Sequence, residues 1–136
     1  MENLSVRIKN DRAEIPKLAQ VVSEFCNRNG LLSSVELDVN LVLEEAVINV
    51  IAHGLDDGEE HEIGVSLLLD GKQLTLTVEN DGIAFNPLEA PEPRVDAPIE
   101  ERRPGGLGIL LVKRLTDDLV YRRMGNKNIL VMKKNT

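Results

Sequence analysis

The chain has 136 residues, 42% of them apolar and 29% charged, which fits one folded domain over 1–136 and excludes a disordered composition. A formal charge of −7, with no basic stripe, excludes non-specific nucleic-acid binding, which needs a basic surface to displace phosphate counterions. The single cysteine, Cys26, excludes an intrachain disulfide or a thiolate metal cluster.

Leu4–Lys9 alternates apolar and polar residues, the period of a half-buried strand. Ile15, Leu18, Ala19, Val22 and Phe25/Cys26 then follow helical spacing, and Asn29-Gly30 supplies a stop. A second helix is predicted from about Asp38 to Gly54. Its apolar residues spread round most of the circumference, as in a mostly buried helix, while Asp38, Glu45, Asn49 and His53 share one narrow stripe.

Glu62–Leu69 and Gln73–Glu79 read as strands of a hairpin turning at Asp70-Gly71. Five of the six prolines fall between Asn80 and Gly105, and a loop of that length in a small domain is functional or disordered. A short helix over about Gly108–Thr116 follows. Leu119–Arg123 and Asn128–Met132 close the chain as a second hairpin at Gly125-Asn126. The order β-α-α-β-β-loop-α-β-β predicts a two-layer α/β (α+β) sandwich. Its sheet would be mixed and largely antiparallel, with three helices on one face. No run approaches the roughly 20 apolar residues of a membrane span. Nothing at the N-terminus reads as a signal peptide, so a cytoplasmic location is expected.

Three constellations carry chemistry. Glu45 and Asn49, four apart on a helix, point the same way. A carboxylate and an amide oxygen there suit Mg²⁺, and the carboxylate can orient a hydroxyl. For Glu45 the alternative is a solvated helix face. Asn49 sits among Val47, Ile48, Val50 and Ile51, where a polar group needs a partner, either a ligand or a structural hydrogen bond. Asn80-Asp81-Gly82 directly follows a strand and opens the long loop. It is either a plain turn or one that shows a polar side chain to a base, with Gly82 allowing close backbone approach. Gly105-Gly106-Leu107-Gly108 precedes a helix and can turn backbone N–H groups toward an anion, although glycines before helices are common. It is not a P-loop, since no Gly-Lys-Ser/Thr follows.

A helix with Glu-x-x-x-Asn, a strand ending near Asp-x-Gly, a lid and a Gly-x-Gly helix start together resemble the histidine-kinase-like ATPases. Asn49-Val50-Ile51-Ala52-His53-Gly54, Phe85-Asn86-Pro87 and Gly105–Gly108 are similar to the anti-sigma-factor serine/threonine kinase branch, and the likeness covers nearly the whole chain. The resemblance implies ATP and Mg²⁺ as cofactors, Asn49 as the Mg²⁺ ligand and Glu45 as general base. It further implies Asn80 and Gly82 at the adenine, and Gly105, Gly106, Leu107 and Gly108 along the phosphates. Arg102 and Arg103, in a lid over 83–107, would approach the terminal phosphate or stay solvated loop charges.

Two positions depart from the family pattern. Asn80 stands where the family has an Asp, with Asp81 one position later. Its amide oxygen can accept a hydrogen bond, but its NH₂ adds a donor. Ala84 stands in place of a second glycine, and by its position the resemblance places it with the cofactor-binding residues. His53 reads as structural or pocket-lining rather than as a phosphate acceptor, and His61 gives no signal. By resemblance the partners are a STAS-type anti-anti-sigma protein, as substrate, and a sigma factor; family members are often homodimers. Two other functions stand beside this one, a non-catalytic sequestering module and a detached catalytic domain of a sensor histidine kinase.

Overall fold

The computed structural model describes residues 1–54, 58–89 and 106–136. Strand β1 (Glu2–Lys9) turns Leu4, Val6 and Ile8 inward, as its alternation requires. Asp11 then caps a short 3-10 turn at Arg12–Glu14 by accepting from Ala13 N–H (2.9 Å). Helix α1 (Ile15–Arg28) follows with Pro16 in its first turn, where a missing N–H costs nothing. It buries Leu18, Val22, Phe25 and Cys26. Gly30 stops it with a φ of 66°.

Helix α2 (Ser33–Asn49) starts five residues earlier than Asp38. The extended backbone of Leu32 offers its carbonyl to Glu36 N–H (3.1 Å), and the buried stripe already begins at Val35. No side chain caps this end, so the usual start signal is absent. The α-helix ends at Asn49, and Val50–Gly54 continues as one π-helical turn. Such turns recur at functional sites.

Strands β2 (Glu62–Asp70) and β3 (Gln73–Asn80) form the first hairpin. Asp70 pairs with Gln73, so the loop is Gly71-Lys72, one residue later than the Asp70-Gly71 dipeptide suggests, with Gly71 at a φ of 62°. A 3-10 turn at Pro87–Glu89 follows. Helix α3 (Gly106–Leu115) begins two residues before Gly108. Strands β4 (Asp118–Met124) and β5 (Lys127–Asn135) turn at Gly125-Asn126, as expected.

The sheet order is β1-β2-β3-β5-β4, and all four ladders are antiparallel. The expectation of a mixed sheet is corrected. The crossover through α3 sets β4 running the same way as β3, but β5 inserts between them and separates the two parallel-running strands. The helices supply Val22, Phe25, Leu43 and Val47 to the core, the sheet Ile63, Leu67, Leu76 and Met132, all at most 1% exposed. Burying each aliphatic side chain of this kind contributes about 1.5–3 kcal/mol. Helix α2 packs against α1, α3 and β3, which explains its apolar residues on nearly every side. No described helix is long and apolar enough to cross a membrane. Arg102, Arg103 and Gly105, with residues 90–105 of the expected lid, lie outside the described residues.

Candidate functional site

The C-terminal end of α2, the end of β3, the start of β5 and the start of α3 meet at one corner of the fold. A cavity there is lined by Ala46, Asn49, Val50, Val78, Asn80, Phe85, Pro87, Ile109, Tyr121, Asn128 and Leu130. Its volume of about 30 Å³ is far below the roughly 300 Å³ of an open ligand cleft. A larger occupant therefore has to part the walls. Phe85 and Pro87, on the segment after β3, form one of them.

Asn49 is 5% exposed, and its Nδ2 is the one buried side-chain nitrogen or oxygen among the described residues with no hydrogen-bond partner. Leaving such a group unpaired costs about 1–3 kcal/mol. One turn earlier, burial raises the Glu45 carboxyl above its ordinary range, and the neighbouring Glu44 charge adds to this. A Cβ built on Gly108 would stand 2.8 Å from Glu45 Cδ, so the first turn of α3 meets this carboxylate only because residue 108 lacks a side chain. The rest of the α2 stripe is also engaged. Asp38 pairs with Lys134 (3.2 Å), and His53, in the π-helical turn, stacks on Phe85 with ring centroids 4.9 Å apart.

At the sheet side, Asn80 and Asn128 are register partners on β3 and β5, both facing inward, 7% and 5% exposed. Asn128, itself buried, is the hub of a network that runs from the interior to the surface. Its Oδ1 accepts from Phe85 N–H (3.3 Å), Tyr121 Oη (2.5 Å) and Arg123 Nη1 (3.1 Å). Its Nδ2 donates to the Ile83 carbonyl (2.7 Å) and to Asn80 Oδ1 (3.2 Å). Gly82 N–H donates to the same Asn80 oxygen (2.9 Å), and Arg123 Nη1 also holds the Gly82 carbonyl (2.7 Å). Asp81 turns outward, with its Oδ1 3.2 Å from His61 Nδ1.

The structure thus brings together Glu45, Asn49, Asn80, Gly82 and Gly108, with Gly106 and Leu107 in the backbone of the first turn of α3. Ala84 is exposed and does not line the cavity. Sequence reading missed Asn128, Tyr121 and Arg123. The signal for Asn128 was its phase, since an alternation that turns Leu130 and Met132 inward turns Asn128 inward as well.

The arrangement supplies a buried amide N–H group without a partner among the described residues, a carboxyl of raised proton affinity and the N-terminal turn of a helix, which favours anions. Among the described residues no three His, Cys, Asp or Glu side chains are placed to hold a metal. A cation at Asn49 would accordingly draw its other ligands from phosphate oxygens and water, as Mg²⁺ does.

Residues 8–134 match the Histidine kinase-like ATPase domain family. Curated relatives include the serine/threonine-protein kinase BtrW of Bordetella bronchiseptica, 26% identical over 69% of this chain, and the serine-protein kinase RsbW of Oceanobacillus iheyensis, 26% identical over 72%. The chain spans just under two thirds of those two proteins, 66% and 65% of their lengths. The anti-sigma F factor of Clostridium perfringens is 32% identical over 73% of both chains. Among solved structures, the histidine kinase domain of the Erythrobacter litoralis blue-light activated kinase EL346 superposes with a TM-score of 0.56. At 18% identity over 91% of this chain and 60% of that one, it shows the shared fold. The chain belongs to the histidine kinase-like ATPase family, in the branch of the anti-sigma-factor serine/threonine kinases.

Proposed function

We propose that the chain is a cytoplasmic protein serine/threonine kinase that phosphorylates a STAS-type anti-anti-sigma protein and, in alternation, holds a sigma factor. The observation that carries the reading is the buried Asn49 side chain, one turn beyond Glu45 and lining a cavity at the sheet end, whose Nδ2 has no hydrogen-bond partner among the described residues. Family membership supports the nucleotide, and names such as anti-sigma F factor among the relatives support the choice of partners.

The residues fit a nucleoside triphosphate with Mg²⁺. Asn49 would offer Oδ1 to the cation and Nδ2 to a phosphate oxygen, which satisfies the orphan donor. The N–H groups of Gly106, Leu107 and Gly108, at the start of α3, would face phosphate charge. When bound, ATP supplies the phosphoryl group and Mg²⁺ offsets the charge on its oxygens. Glu45 would take the proton of the substrate hydroxyl on a carboxylate oxygen. Burial favours that role by raising its pKa toward the working pH, which improves a general base. Positioning and electrostatics carry phosphoryl transfer, so a small site suffices.

The test is transfer of label from a γ-labelled nucleoside triphosphate to STAS-type partners. The expected product is stable in acid and labile in base, as phosphoserine is, and absent with Glu45→Ala. An acid-labile product would point to histidine kinase chemistry. Stable complex formation with no transfer would point to a sequestering module, a reading that the missing carboxylate at Asn80 favours.

A further inference from the structure

The polar end of the cavity has a fixed hydrogen-bonding sense, and it is set from the backbone. Asn128 accepts from Phe85 N–H (3.3 Å) and donates to the Ile83 carbonyl (2.7 Å), so turning its amide round would break both bonds. Its second N–H therefore points at Asn80 Oδ1 (3.2 Å). That oxygen also receives Gly82 N–H (2.9 Å), a donor that no flip of Asn80 could satisfy. Both lone pairs of Asn80 Oδ1 are taken. None of the described residues accepts from its Nδ2, which is not fully enclosed and so stays open to a ligand, and Asn80 lines the cavity.

We infer that Asn128 locks Asn80 with its NH₂ toward the ligand, so that the site prefers a 6-oxopurine nucleotide, such as an inosine or guanosine triphosphate, over a 6-aminopurine one. The inference rests on the nucleotide reading above and changes only the base, leaving the phosphate and cation chemistry at Glu45 and Asn49 as described. An exocyclic amine placed against Asn80 sets donor against donor and leaves both without partners. A carbonyl in the same place accepts the N–H. Sites that pair a buried polar group discriminate strongly against an analogue that leaves it unpaired. The residue that reverses the preference is also defined. Asp at position 80 has the same shape, keeps the bonds from Gly82 and Asn128 on one oxygen, and offers the second oxygen to an amine.

Calorimetric titration of the full chain with ITP, GTP and ATP, each with Mg²⁺, tests this. ITP and ATP share ribose and phosphates, so their difference reads the base edge alone, and wild type alone decides. The expected result is ITP binding about tenfold or more tighter than ATP, with the order reversed in Asn80→Asp. ATP binding as tightly as ITP, or more tightly, would overturn the base assignment and leave the nucleotide reading standing. Binding of none of the three at millimolar concentration would overturn both.

Discussion

The carboxylate of Glu45 occupies the space that a side chain on residue 108 would need, with Cδ 2.8 Å from the position of a Cβ on Gly108. The close atoms belong to the tip of a side chain rather than to backbone, so any added methyl displaces Glu45 and not the helix. Gly108→Ala should therefore fold with a melting temperature within a few degrees of wild type. Phosphoryl transfer should fall by about 10²-fold, because a catalytic group misplaced by an ångström costs that much. A thermal melt paired with a transfer assay checks both halves.

Glu45→Gln should separate stability from activity. Burial holds the Glu45 carboxyl above its ordinary range, so the charged form is disfavoured in the folded chain. A group whose folded pKa is raised binds its proton more tightly when folded, and the resulting stabilisation disappears as pH rises through that pKa. Gln keeps a neutral side chain at every pH. The variant should then be the more stable form at pH 7, with the difference shrinking as pH falls through the raised pKa of folded Glu45 and gone below the ordinary value of about 4.5. Transfer should be lost at both. Melts at pH 7 and pH 4 are the measurement, and a variant less stable at pH 7 would contradict the burial argument.

Asn128→Ala should be among the most costly substitutions in the sheet. It strips partners from the Ile83 carbonyl, Phe85 N–H, Tyr121 Oη and Asn80 Oδ1 at once. Buried groups left unpaired cost about 1–3 kcal/mol each when no water replaces the partner, so a loss of roughly 2–4 kcal/mol in urea unfolding is expected. A loss under about 0.5 kcal/mol, the range of an ordinary surface change, would mean that the network does not hold the turn after β3.

Cys26 offers a probe of core integrity. It is fully buried, and burial together with the Glu36 charge pushes its thiol up to about 11. At pH 8 the folded protein should show negligible reaction with a disulfide reagent over minutes, and full reaction once unfolded.

Much of this architecture was legible because it is local. The alternation of Leu4–Lys9, the helical spacing of Leu18, Val22 and Phe25, and the turn dipeptide Gly125-Asn126 each state their element within a few residues. The start of α2 was not, because Leu32 caps it through backbone alone and leaves no residue-type signal. The all-antiparallel sheet was hidden for a different reason, since the insertion of β5 between β3 and β4 is a long-range choice. The site divides the same way. Glu45 and Asn49 are one turn apart and stood out as polar residues in an apolar helix, whereas Asn128 gains its meaning only from facing Asn80 across 48 residues of sequence. Arg102 and Arg103 lie outside the described residues.

Calorimetric titration of wild type and Asn49→Ala with ATP and ITP, in the presence of Mg²⁺ and again with EDTA, decides whether Asn49 is a nucleotide and cation ligand or a structural amide. Wild type should lose affinity when Mg²⁺ is removed. Asn49→Ala should bind at least about tenfold more weakly with Mg²⁺ and respond little to its removal, while folding about as stably as wild type, since it removes a buried Nδ2 that has no partner among the described residues. Equal affinity and equal Mg²⁺ dependence in the two proteins would contradict the assignment.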